Sequence, residues 1–309
     1  MAKAIREIYG ETLAELGNTM ENLVVLDADV AGSTKSGLFK AAHPDRFFDM
    51  GIAEANMAAT AAGLATTGYV PFINTFAVFL TSASLLALRG QICYGNLNVK
   101  LGGAYAGMSD AKDGATHHAL EDMAIIRALP NMKIISVCDA EETRWATKYA
   151  AECDGPCYIR LSRDVMPDVY GAGHKFTFGK AETLREGKDA TIIATGMMVH
   201  NSLKAAELLA AEGIDVAVVD MHTIKPLDTE AVVKAAKMGP VITAEEHNVI
   251  GGLGSAVAEA MAEAGCNTGL VRVGLRDTFS ETGDYASLQK KYGIDAESIA
   301  AAVKKSLKK

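Results

Sequence analysis

Aromatic side chains are scarce in this chain of 309 residues: they make up 6% of it, with a single tryptophan. That scarcity argues against an all-β sandwich, whereas abundant Ala and Gly suit helices packed closely on sheets. Positive charge is not in excess either. Thirty Lys and Arg stand against 38 Asp and Glu, for a formal net charge of −8. An overall basic footprint for nucleic acid is therefore absent. Cysteines number five, at Cys93, Cys138, Cys153, Cys157 and Cys266. An odd count in a chain of this length, with no apolar signal-peptide core near its start, leads us to expect reduced thiols and a cytoplasmic protein.

Formal charge is missing altogether from residues 55–88. The stretch contains Asn56, Gly63, Gly68, Pro71, Asn74 and five threonines. A spanning helix needs about 20 predominantly apolar residues without such breaks, so we expect buried helices flanking a short extended segment near 69–75, and no membrane span. What the chain does have is apolar bulk, at 49% hydrophobic and 22% charged residues. That is enough for large cores and excludes disorder.

Short apolar runs alternate with helical patterns. Residues 23–30, 98–105, 133–140, 157–162, 190–196, 215–223, 240–246 and 270–275 read as strands. Several are continuously apolar, as strands covered on both faces are. The intervening segments carry helical spacing, for example 201–213, which ends at Gly213. This alternation predicts an α/β protein of two doubly wound, mainly parallel-sheet domains. The Gly-, Pro- and charge-rich stretch near 165–190 breaks the pattern. We place a first domain at 1–170, a linker at 171–186 and a second domain at 187–309. The N-terminus reads as a charged amphipathic helix, and the final KKSLKK as a solvated helix end favoured by the dipole.

Open parallel sheets bind ligands beyond the carboxyl ends of their strands. Asp27, Asp29, Asp139, Asp220, Glu245 and Glu246 fall at such ends, although turns favour Asp in any case. GGLGS at 251–255 has Val257 where a dinucleotide loop needs its third glycine, so it reads as a tight turn. Cys153 and Cys157 have no second metal-ligand pair at finger spacing and read as ordinary thiols. His117 and His118 read as opening a helix, with an imidazole able to donate or relay a proton. Glu54, in GIAEANMAA, sits among small and apolar residues, where loss of hydration would push a carboxyl pKa upward. Phe76 and Phe79, about twenty residues on, suit either core or the walls of a flat ring. In RLSR, Arg160 and Arg163 follow a strand and suit bidentate anion binding or a surface ion pair.

Together these segments resemble the C-terminal half of the transketolase family over essentially the whole chain. The resemblance is carried by residues 46–79, 113–122, 158–163, 187–196, 221–228, 245–259 and 272–294. It implies a pyrimidine-binding domain followed by a transketolase C-terminal domain. It also implies a transferase that moves a two-carbon ketol unit between phosphorylated sugars with thiamine diphosphate and Mg²⁺. By that resemblance Glu54 is the catalytic glutamate that hydrogen-bonds N1′ of the thiamine aminopyrimidine. Phe76 and Phe79 pack around the pyrimidine, and Asp29 is an acidic residue of the cofactor pocket. Asp113 and His117 contact sugar hydroxyls, with His117 also counted as catalytic, while Arg6, Ser33 and Arg163 bind the sugar phosphate. Tyr105 stands at a substrate position where members often have His, and Ser82 replaces a stacking aromatic.

The family's diphosphate-binding G-D-G motif does not occur in this sequence. The resemblance then implies a split enzyme: a separate N-terminal subunit carries the pyrophosphate domain and the Mg²⁺ ligands, in an α2β2 assembly. Other readings are a deoxyxylulose phosphate synthase-like chain, the β chain of a 2-oxoacid dehydrogenase, or a non-catalytic regulatory subunit that kept the fold.

Overall fold

The structure is a computed structural model and describes residues 4–308. It contains two mainly parallel α/β domains. Each of the eight apolar runs holds a strand. The first sheet is built from β1 (Leu23–Asp27), β2 (Phe47–Asp49), β3 (Val70–Phe76), β4 (Lys100–Ala104), β5 (Lys133–Ser136) and β6 (Cys157–Arg160). The second contains β7 (Glu182–Arg185), β8 (Ala190–Ala194), β9 (Val216–Asp220), β11 (Val241–Asn248) and β12 (Leu270–Leu275). Between β9 and β11 the chain crosses back, and β10 (Thr223–Lys225) adds an antiparallel edge to β5. The first sheet therefore runs β10-β5-β6-β4-β3-β1-β2 and the second β12-β11-β8-β9-β7. All pairings are parallel except β10–β5 and β7–β9.

β1, β4, β8 and β9 are buried along their whole length, as expected of strands covered on both faces. The uncharged stretch 55–88 spans most of the helix Glu54–Thr66, strand β3, and the helices Ala77–Ser82 and Leu85–Ala87. No helix among the described residues is long and apolar enough to cross a membrane. The N-terminal helix, Ile5–Gly17, buries Ile5, Ile8, Tyr9, Leu13 and Leu16. The last helix, Ala296–Leu307, carries the basic end, whose final residue lies outside the described residues. Residues 182–185, read from sequence as linker, form the edge strand β7.

Both domains share packing. β10 couples the halves through backbone pairing, and Lys225 donates to the carbonyls of Arg127 and Leu129 at 2.9 and 2.6 Å. One apolar cluster runs from Leu26, Ile73 and Leu101 in the first domain to Val219, Val232 and Val257 in the second. The second domain can thus support loops that belong to the first sheet.

Candidate active site

In parallel sheets the connecting helices begin at the carboxyl edge. β2 ends at Asp49, and after a short turn the helix Glu54–Thr66 begins with Glu54 itself. Glu54 therefore lies on the same edge as the loops that leave β1, β3, β4 and β6. Asp27, fully buried at the end of β1, accepts from the Val30 amide (2.7 Å) and from the Thr34 and Ser36 hydroxyls (both 2.8 Å). These bonds shape the loop that carries Asp29 and Ser33. Burial still pushes the Asp27 pKa upward. Asp29 is exposed and takes a left-handed backbone (φ 64°), which Asp tolerates better than most residues.

At the ends of β3 and β4 an aromatic cluster forms. Phe76 and Phe79 stack with centroids 6.0 Å apart, and Tyr105 lies 4.5 Å from Phe76. His117 presents its ring edge to both phenylalanines, at 6.0 and 5.3 Å. Two guanidinium groups flank Tyr105, those of Arg6 and Arg163, each 5.3 Å from the ring centroid. Arg6 donates to the Tyr105 hydroxyl (2.7 Å) and to the Ser33 carbonyl (2.9 Å). Arg163 pairs with Asp110 at 2.9 Å. Burial and the neighbouring Asp113 push the Asp110 carboxyl up to about 6, although Arg163 and His117 pull the other way. Phe76, Phe79, Tyr105, His117, Arg6, Ser33 and Arg163 are thus one connected group, with Asp113 joined through Asp110.

Three expectations need correction. Glu54 is only half-buried in this chain; Ala55 and Asn56 beside it are exposed, and Ile52 is 82% exposed. Its neighbours in sequence are apolar, but they lie on an open face and do not enclose it. His117 and His118 do not open a helix. His117 sits in a turn and His118 in irregular backbone, and the helix begins only at Asp122, running to Arg127. Gly114, with φ +81°, faces Thr282 too closely for any side chain, so the loop is built to fit the second domain. Arg160 does not face a ligand. It is buried and bonded to Asp122, from Nε at 2.7 Å and Nη2 at 3.2 Å, and to the Glu246 carbonyl of the second domain at 3.0 Å.

Sequence reasoning missed the residues that hold this loop. His118 is buried and contacts the Ser280 hydroxyl through Nδ1 and the Asp110 carbonyl through Nε2 at 2.9 Å. Burial lowers its pKa and favours the neutral ring. Gly283 donates to the Ala111 carbonyl at 2.9 Å, and the Met108 amide donates to Glu246 at 3.1 Å. Position 107, beside it, must be glycine: its φ is +66°, and a Cβ there would strike the Glu246 carboxylate. These contacts join residues far apart in sequence, so no local pattern announces them. The GGLGS turn behaves as read. The helix Leu253–Glu263 starts there, and the buried Glu245 carboxylate accepts from the Leu253 and Gly254 amides at 2.7 and 2.8 Å. The protein's own anion thus fills the place a phosphate would take.

An aminopyrimidine fits what this edge offers: stacked aromatic walls and a carboxyl at a helix start. The one group of potential metal-ligating side chains among the described residues is Cys138, Glu142 and Asp220, all buried at the domain junction.

Residues 1–168 match the family model described as the transketolase pyrimidine-binding domain, and residues 179–299 match the transketolase C-terminal domain. The chain belongs to the transketolase family. It is 44% identical to a putative transketolase C-terminal section of Methanocaldococcus jannaschii, over 99% of this chain and 97% of that one. It is 42% identical to the 6-deoxy-6-sulfo-D-fructose transketolase subunit SqwH of Clostridium sp. strain MSTE9, over 96% of this chain and 92% of that one. A solved split-gene transketolase, an inactive β4 tetramer, superposes with a TM-score of 0.91 at 46% identity. That likeness covers 100% of this chain and 99% of the other.

Proposed function

We propose that this chain is the C-terminal subunit of a thiamine-diphosphate-dependent transketolase, acting with a separate subunit that carries the pyrophosphate domain, in an α2β2 assembly in the cytoplasm. The observation that carries the reading is the connected group of Phe76, Phe79, His117, Tyr105, Arg6 and Arg163 on the sheet edge that also bears Glu54. The reading is supported by relatives that are themselves separate C-terminal sections or subunits of similar length. The solved β4 tetramer is inactive, which fits a β chain that needs a partner.

Thiamine diphosphate, when bound, supplies a ring carbon that can take up a two-carbon ketol unit and pass it on. In this chain Glu54 would share a proton with N1′ of the aminopyrimidine. Phe76 and Phe79 would wall the ring, with Asp29 at the pocket's rim. The partner would close over the open face around Ile52 and Asn56 and complete the drying of the Glu54 carboxyl. It would also supply the Mg²⁺ ligands. His117, edge-on to both phenylalanines, would donate to or relay a proton at a sugar hydroxyl, together with Asp113. Arg6 and Arg163, both beside Tyr105, would bind the anionic end of the sugar with Ser33. The Tyr105 hydroxyl occupies one Arg6 donor, so the pair is set for an anion approaching between them. A phosphate and a sulfonate are both anions.

The test is ketol transfer by this chain mixed with its co-purifying partner, thiamine diphosphate and Mg²⁺. The partner should be a chain of roughly 270–300 residues bearing G-D-G, as expected from domain size. The chain alone should be inactive. Glu54→Ala should cost about 10²–10⁴ in rate, the usual contribution of a positioned acid–base group. Retention of more than about a tenth of the rate would remove Glu54 from the chemistry.

A further inference from the structure

The opposite edge of the first sheet carries a group of side chains that ketol transfer does not use. Cys157 opens β6, between Lys100 on β4 and Lys133 on β5, which are its register partners in the parallel sheet. Register partners on neighbouring strands point to the same face, so one thiol stands between two lysines. Cys153 closes the group. It follows directly on the helix Ala140–Glu152 and is half-buried; its sulfur lies 3.6 Å from the Ala150 carbonyl and interacts with the neighbouring Cys157 thiol.

Lys100 is fully buried. Its ammonium donates to the Cys153 carbonyl (2.6 Å) and the Gly155 carbonyl (2.8 Å) and lies 3.6 Å from the Cys153 sulfur. Lys133 donates to the Asp154 carbonyl at 2.5 Å. Among the described residues neither lysine forms an ion pair with a carboxylate. The ionisable groups acting on Lys100 are the two thiols and Lys133. A buried ammonium without a counter-charge is costly, and the sulfur of Cys153 is the group placed to supply one. The helix end works against this, because its negative pole disfavours an anion. The hydrogen bond from Cys157, together with the two lysines, nevertheless draws the Cys153 thiol down to about 6 against its burial. Cys157, buried beside it, is pushed upward and stays a thiol.

We infer that Cys153 and Cys157 form a peroxide-reactive dithiol, in which Cys153 is the attacking sulfur and Cys157 the resolving one. The Cys153 thiolate attacks one oxygen of hydrogen peroxide. The S–O bond forms, the O–O bond breaks, and the departing hydroxide takes a proton to become water. Cys157 then loses its proton and attacks the Cys153 sulfur. The S–S bond forms, the S–O bond breaks, and the sulfenic oxygen leaves with a proton as a second water. Two thiols lose two electrons in all, and one peroxide gains them. The loop Asp154–Gly155–Pro156 spans the two sulfurs and is the segment the disulfide would close. On this reading Lys100 and Lys133 are more than clamps for that loop.

The full chain carries both thiols in one tryptic peptide, residues 149–160, between Lys148 and Arg160. After treatment with hydrogen peroxide that peptide should be about 2 Da lighter, with Cys93 and Cys138 still reduced. In the reduced protein Cys153 should be alkylated by iodoacetamide half-maximally near pH 6, against about 8.5 for an ordinary thiol. Cys157→Ser should stop the reaction at a dimedone-reactive sulfenic acid on Cys153. Lys133→Met should raise the alkylation midpoint, as should Lys100→Met if it folds. The proposal is overturned if Cys153 alkylates with an ordinary thiol's pH profile. It is equally overturned if peroxide gives no disulfide within 149–160, and in either case the ketol-transfer reading is untouched.

Discussion

Asp122→Asn tests how the two domains are held together behind the site. Asp122 is fully buried and accepts from Arg160 Nε (2.7 Å), Arg160 Nη2 (3.2 Å) and the Tyr158 hydroxyl (2.7 Å). Burial by itself would raise its pKa, but the Arg160 guanidinium, helped by His247, outweighs that and holds the carboxyl below its ordinary value. Asparagine keeps the shape and removes the charge, leaving a guanidinium that is 5% exposed without its anion. Breaking a buried pair in this way costs about 3–5 kcal/mol. For a chain of this size, unfolding in a single step, that is a fall in Tm of roughly 5–8 °C. The sign with pH follows from the depressed pKa: the contribution is complete above the unfolded value of about 3.9 and is lost as the pH falls below it. The deficit of the variant should therefore be full at pH 7 and shrink in acid. Differential scanning calorimetry at pH 7 and at about pH 2, well below the unfolded value, measures both. The double variant Asp122→Leu/Arg160→Met should regain most of the loss, because replacing both charges leaves no orphan. A fall of less than about 1 kcal/mol for Asp122→Asn would refute the claim that this pair is uncompensated without its anion.

The buried acids at the domain junction give a pH dependence of opposite sign. Burial raises Asp220 to about 7, and Glu142 beside it is raised as well. Between about pH 4 and 7 the folded chain binds a proton the unfolded chain lacks, so stability falls as the pH rises through that window. The loss from Asp220 is at most about 4 kcal/mol. Asp220→Asn should flatten the profile, and a wild-type Tm that is constant from pH 5 to 8 would refute it. Tyr105→Phe removes the oxygen on which Arg6 rests. The KM for an anionic sugar should rise about tenfold with kcat nearly unchanged, as expected for one charged hydrogen bond used in binding; an unchanged KM would separate Arg6 from substrate.

Chain order and hydropathy determined a good deal by themselves. The eight short apolar runs became strands, several of them continuously apolar because a strand covered on both faces must be so, and that signal is local. Glu54, Phe76, Phe79 and His117 were singled out through the family's motifs, and the structure brings the last three into contact. Only the tertiary structure decided what surrounds Arg160, Tyr105 and Glu54. Arg160 looked like an anion ligand and is buried against Asp122, a partner 38 positions away. Tyr105 found two arginines from opposite ends of the first domain. Burial depends on what packs over a residue in space, and apolar neighbours along the chain cannot specify that, which is why Glu54 stands at an open face. The same reason hid Cys153 and Cys157, whose unremarkable spacing acquires its chemistry only when β4 and β5 set a lysine on either side.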